Sequence, residues 1–166
     1  KPSFFADIAH RYPKHAFKIK GDRALMTSDI ELPEKKKQWQ EIGFFIPLSR
    51  SQSYKSVPFP NVTKICFDEF IIEKGVIRYL AKEAKIFNDF YSTVDRYKDK
   101  TRVFFLANSL SITNPYFLEY GILPKTEELI RVHDGFVVAH FPNSEKFINE
   151  VYQTRFGKFI EGTEYS

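Results

Sequence analysis

The 166 residues include 18 Phe, 9 Tyr and 1 Trp and are 43% hydrophobic, which excludes a disordered tail and provides core enough for one globular domain. No apolar stretch approaches the roughly 18 residues that span a bilayer and no secretory signal opens the chain, so a soluble, intracellular protein is expected. Basic side chains exceed acidic ones by 25 to 21; the net charge of +4 permits contact with a polyanion but is modest for a dedicated DNA-binding module.

In chain order, the sequence begins at Lys1 rather than Met, inside an amphipathic helix expected over residues 3–11, where Phe4, Phe5, Ile8 and Ala9 recur at helical spacing. That start reads as an excised or incomplete piece. Residues 16–20 and 23–27 flank Gly21-Asp22, a two-residue link suited to a β-hairpin turn. The basic excess lies here: residues 1–60 carry 11 Lys and Arg against 6 Asp and Glu, whereas residues 61–166 carry 14 against 15. The run Glu34-Lys35-Lys36-Lys37-Gln38 reads as a solvated loop or helix face rather than a recognition element. A strand over 42–48 and a Ser- and Pro-rich segment over 49–60 follow.

The most informative run is 62–70, Val62-Thr63-Lys64-Ile65-Cys66-Phe67-Asp68-Glu69-Phe70. Its continuous apolar stretch predicts a strand buried on both faces of a parallel sheet, ending in two adjacent acids. The single cysteine, Cys66, is then a free core thiol; no intramolecular disulfide can form and a reducing compartment is expected. Residues 76–97 read as one long helix, with Ile77, Leu80, Ala81, Ala84, Phe87, Phe90, Tyr91 and Val94 on an apolar stripe. Residues 103–106 form the next buried strand. The three together predict a βαβ unit with parallel strands and a right-handed crossover. Beyond it, Asn114-Pro115 starts a helix to Tyr120, residues 129–132 and 136–139 form a hairpin about His133-Asp134-Gly135, and a short helix covers 144–152. No internal repeat or low-complexity segment is present.

Asp68 and Glu69 have the form of a Walker B element. The first carboxylate can hold Mg²⁺ on a nucleotide and the second can orient the water that attacks its γ-phosphate. The same pattern also reads as a strand running into an exposed acidic turn. Asn108, after the strand ending at Leu106, falls at the same sheet edge and can bond the attacking water, as a sensor residue does, or simply end the strand. Arg96, at the end of the long helix, can reach a neighbouring subunit's nucleotide as an arginine finger, or act as a helix-end cation. The four histidines show no metal-ligand spacing. No Gly-x-x-x-x-Gly-Lys-Ser/Thr occurs, because Thr163 stands where the lysine would follow Gly157 and Gly162; these residues alone therefore should not turn ATP over efficiently.

Five segments together resemble the genome-packaging ATPases of phi-29-type tailed phages, over almost the whole chain. They are Pro60-Asn61-Val62, Phe67-Asp68-Glu69-Phe70-Ile71, Leu106-Ala107-Asn108, Asn114-Pro115-Tyr116-Phe117-Leu118, and Thr154-Arg155-Phe156-Gly157 with Glu161-Gly162-Thr163-Glu164-Tyr165. The resemblance implies an α/β three-layer P-loop NTPase of the additional-strand, RecA/FtsK-like type, with a mainly parallel central sheet and small β-hairpins. Residues 1–166 would be a single, partial ATPase domain, with a P-loop segment upstream and a nuclease-like domain downstream. By the same resemblance Asp68 is the magnesium-associated acid, Glu69 the catalytic glutamate, Arg96 the trans-acting arginine finger, Lys55 a basic interface residue acting in trans, and Asn108 the sensor-like amide. It implies ATP and Mg²⁺ as cofactors. The implied partners are double-stranded DNA, other copies in a pentameric ring, a portal or connector, and a packaging RNA; no membrane is involved. The implied location is the host cytoplasm, transiently at the portal vertex of a procapsid. Two alternatives stay open: a catalytically inactive structural or DNA-binding paralogue, and a cellular ring helicase or segregation ATPase.

Overall fold

A computed structural model of the chain describes residues 2–72, 78–107, 114–123, 127–142, 149–150 and 152–160. It divides into two compact units, Lys1–Ser109 and Leu110–Ser166.

The first unit opens with α1 (Pro2–Ala9), close to the expected helix, followed by β1 (Ala16–Lys20) and β2 (Arg23–Thr27). These strands pair antiparallel in the expected register about Gly21-Asp22, with Lys20 opposite Arg23. Gly21 sits at φ 62°, the left-handed conformation that a tight hairpin turn requires and glycine adopts without strain. Phe5 anchors α1 to the sheet: it stacks on Phe17 at 5.0 Å between centroids and meets Phe45 edge-on at 5.8 Å.

The expected strand 42–48 appears two residues earlier as β3 (Gln40–Phe44), antiparallel to β2 and third in the order β1-β2-β3. Pro47 explains the early end. It has no N–H for the ladder, and it starts instead a 3₁₀ helix, Leu48–Tyr54, which takes the last residue of the expected strand and the first part of the Ser- and Pro-rich segment. That helix packs against the later helix α2 (Glu83–Asp95).

β4 (Lys64–Asp68) and β5 (Arg102–Leu106) pair in parallel, Lys64 opposite Arg102 and Asp68 opposite Leu106, with α2 (Glu83–Asp95) between them in the chain. The βαβ connection is thus present in parallel form. Ile65, Phe67, Val103 and Phe105 are partly buried, and Phe87 of α2 lies 5.4 Å from Phe67 and 4.7 Å from Phe105. Ala84, Phe87 and Val94 of the expected stripe are buried.

Two expectations for this unit are corrected. The helix is shorter than 76–97, because Lys82 adopts φ 57° and the residues before it are held differently: Leu80 N–H donates to Glu83 Oε2 at 2.7 Å, and Ile72 N–H donates to the Tyr79 hydroxyl at 3.0 Å. Ile77 of the stripe lies outside the described residues. The strand, moreover, is not covered on both faces by the described residues. Burial alternates along β4, and Cys66 is exposed rather than a core thiol, beside Phe104 and Leu106, each 48% exposed. One helix can shield only the face that it packs on.

In the second unit, α3 (Pro115–Tyr120) forms as expected. The Asn114 side-chain oxygen accepts N–H groups from Tyr116 and Phe117 at 3.0 and 2.9 Å, and Gly121 ends the helix at φ 66°. Tyr116, Phe117 and Ile122 are buried around it. β6 (Leu129–Val132) and β7 (Val137–His140) make the expected hairpin about residues 133–135. Most of the expected helix 144–152 lies outside the described residues. An additional short helix, α4 (Arg155–Ile160), follows Thr154, whose hydroxyl accepts the Gly157 N–H at 2.9 Å.

Candidate functional site

The acids sit where the β4–β5 ladder ends. Asp68 is the last residue of β4. Glu69 then steps out of the ladder at φ 53°, its N–H donating to Asp68 Oδ1 at 3.1 Å, and pairing resumes with Phe70 N–H on the Leu106 carbonyl at 3.3 Å. A left-handed conformation in a non-glycine residue costs about 1–2 kcal/mol. Here it has a clear geometric effect: both carboxylates are exposed at the carboxyl end of two parallel strands, the edge at which α/β sheets bind ligands. Ala107 follows β5 at this edge and is exposed. Asn108, the expected sensor, lies outside the described residues.

Arg96 is at the other end. α2 carries the chain back to the start of β5, so the loop after Asp95 lies against the residues that lead into β4. Lys100 Nζ donates to the carbonyls of Phe59 and Pro60 at 2.8 and 3.1 Å, Thr101 Oγ1 to that of Val62 at 3.4 Å, and Arg102 N–H to that of Thr63 at 2.9 Å. From Lys64 to Asp68 the strand then rises roughly 13 Å. The acids and Arg96 therefore occupy opposite ends of one βαβ unit.

Lys55 follows the 3₁₀ helix and is exposed, with no ion-pair partner for its ammonium among the described residues. Its neighbour Tyr54 donates its hydroxyl to Asp22 Oδ2, which Arg50 also meets at 3.3 Å. The bond to Asp22, followed by burial, raises the Tyr54 phenol above its usual range. This cluster ties the segment carrying Lys55 to the β1–β2 turn.

A residue that sequence reasoning missed stands beside Arg96. Asp95 is 3% exposed, and its carboxylate accepts four backbone N–H groups, from Lys98, Asp99, Lys100 and Thr101, at 2.8 to 2.9 Å. Burial works to raise its pKa, but the bonds from Thr101, Asp99 and Lys100 outweigh it and hold the carboxyl below the usual range. The signal was available: an acid in the last turn of a helix opposes the dipole and so needs another reason to be there.

No cluster of three or more His, Cys, Asp and Glu side chains able to hold a metal occurs among the described residues. Nucleotide-bound Mg²⁺ does not need one, since it takes one or two carboxylates plus phosphates and water, and exposed Asp68 suits that role. The phosphate cradle is a different matter, because no Gly-x-x-x-x-Gly-Lys-Ser/Thr occurs in these 166 residues. Among the histidines, His140 meets Glu128 at 3.1 Å and His133 meets the Tyr120 carbonyl at 2.9 Å. No helix among the described residues is long and apolar enough to cross a membrane.

Comparison with known proteins gives a consistent answer. The chain is 36% identical over 163 residues to a DNA packaging protein of Bacillus phage phi29 and to one of Bacillus phage PZA, covering 98% of this chain and 46% of each relative. A DNA packaging protein of Bacillus phage B103 is 35% identical over 163 residues, covering 98% of this chain and 47% of that protein. The chain thus spans about half the length of the relatives it matches. No solved structure matches it. The family model described as Podovirus DNA encapsidation protein (Gp16) matches residues 1–166, and the chain belongs to that family.

Proposed function

We propose that this chain forms the ATPase part of a motor that drives double-stranded viral DNA into a preformed procapsid, working in a ring of copies with nucleotide bound between neighbours. Family membership supports the packaging role, and the relatives are named as DNA packaging proteins. The observation that carries the mechanistic reading is the separation of Asp68 and Glu69 from Arg96 across the β4–β5 pair. One copy cannot bring both ends of its own unit to one phosphate. Two adjacent copies can, if the acid end of one faces the Arg96 end of the next.

In this reading Asp68 holds the cation, Glu69 orients the attacking water, and Arg96 of the adjacent copy sets its guanidinium against the charge that develops on the transferred phosphoryl group. Mg²⁺ bound with ATP supplies charge neutralisation at the phosphates. Lys55 adds a second cation in trans, and Asn108 bonds the water from the β5 side. The parallel β4–β5 pair and its crossover helix support a P-loop NTPase fold of the additional-strand type, with the phosphate cradle supplied by polypeptide beyond these residues. A pentameric ring, a portal, a packaging RNA and residence at the portal vertex in the host cytoplasm belong to the same proposal.

Complementation tests it. In the intact protein, Glu69→Gln and Arg96→Ala should each abolish DNA-stimulated ATP hydrolysis. An equal mixture of the two should recover roughly a quarter of the unaltered turnover, because that share of random interfaces joins an intact Glu69 to an intact Arg96. A mixture as inactive as its parts would overturn action in trans. An intact protein that never hydrolyses ATP, even with portal and DNA present, would favour the inactive scaffold.

A further inference from the structure

The loop after α2 adopts an unusual conformation. Arg96, Tyr97 and Asp99 all have positive φ, at 54°, 55° and 54°, which non-glycine residues seldom adopt. Strain of this kind persists only where the surroundings over-determine it. Yet Tyr97 is 93% exposed and makes no ring contact among the described residues, so packing of the loop's own aromatic does not maintain it. What does is the carboxylate of Asp95. Its two oxygens offer four acceptor sites, and the N–H groups of residues 98–101 fill them: Lys98 and Asp99 on Oδ2, Lys100 and Thr101 on Oδ1. Arg96 N–H meanwhile closes on the Ser92 carbonyl at 2.9 Å, which fixes where the arginine leaves the helix.

A plain helix stop would not need this. Glycine in the left-handed position ends a helix without strain, as Gly121 does for α3. At the end of α2 the left-handed position is held by Arg96 itself, and a buried acid is placed where the helix dipole disfavours it. The arrangement turns Arg96 and Tyr97 outward together on a short, fully bonded loop.

We propose that Asp95 is a positioning residue: by gathering the backbone of residues 98–101 it holds Arg96 and Tyr97 in the outward form in which they enter the adjacent copy's nucleotide site. The inference rests on the trans role of Arg96 proposed above. It adds that the finger is set in place before the copies meet, so that assembly does not have to order a free loop.

The test uses the intact protein with DNA and compares Asp95→Asn, Arg96→Ala and the double variant with the unaltered chain. Asp95→Asn keeps one acceptor oxygen but turns an amide towards donors, so it should release the loop. The expected result for Asp95→Asn is a fall of about tenfold or more in kcat with KM for ATP within about twofold, while Arg96→Ala and the double variant are both inactive. Trypsin should also cleave after Arg96 and Lys98 several-fold faster in Asp95→Asn, a readout independent of turnover. Unchanged cleavage, or full activity in Asp95→Asn while Arg96→Ala is inactive, would overturn the positioning role and leave the finger intact. Full activity in Arg96→Ala would instead remove the trans reading, and this inference with it. Should Asp95→Asn fail to melt cooperatively, Asp99→Pro serves in its place. Proline cannot adopt φ 54°, so it rearranges the loop with the buried carboxylate left in place, and the same pattern is expected.

Discussion

Single residues in this chain differ in how far their neighbours in sequence disclose them. Asn114 is wholly legible: an Asn followed by Pro announces a helix start, and its side chain bonds the two N–H groups that such a start leaves free. Cys66 is not. Its run is as apolar as a doubly covered strand, but whether a second face is covered depends on what packs there. Its exposure predicts that one thiol per chain reacts promptly with DTNB under native conditions; a thiol that reacts only after denaturation would contradict it. Tyr120 gives a pH prediction. Burial, then the nearby Glu119 charge, pushes its phenol up to about 12. The neutral phenol is thus favoured in the folded state. Its contribution to stability is complete below pH 10, where the unfolded phenol is also neutral, and declines as pH rises towards 12. Spectrophotometric titration should show one phenol ionising near pH 12, and Tyr120→Phe should flatten the alkaline loss of stability.

Whole elements formed where their signals were local. The hairpin about Gly21-Asp22, the strands at Asp68 and Leu106 and the helix at Asn114 all match their expected positions, because turn chemistry and apolar periodicity act over a few residues. The long helix fell short of 76–97 because periodicity says nothing about Tyr79 reaching back to Ile72, or about Glu83 taking the Leu80 N–H. The energetics of α2 follow from its one-sided packing. Phe87, 4% exposed and in contact with Phe67 and Phe105, should lose about 3–5 kcal/mol on Phe87→Ala in urea unfolding. Phe104 on the open face of the same strand pair, 48% exposed, should tolerate Phe104→Ser far better. Equal losses at the two positions would mean that both faces are covered.

For the molecule as a whole, the proposed motor must grip DNA without reading it. Contact through Lys and Arg to phosphates predicts binding that is indifferent to sequence and a log K that falls linearly with log salt concentration. Filter binding of two unrelated duplexes across a salt series checks this, and a strong preference for one duplex would contradict it. The family resemblance, the strand that ends in Asp68 and Glu69, the hairpins and the capped helix were legible before folding, since each is written in contiguous residues. Packing between distant segments sets the acids and Arg96 at opposite ends of one unit, turns Cys66 outward, and lets Asp95 gather the backbone beyond it. Residues 68 and 96 are separated by a crossover, and the path of that crossover is set by packing of Phe87 on Phe67 and Phe105, which no local pattern encodes.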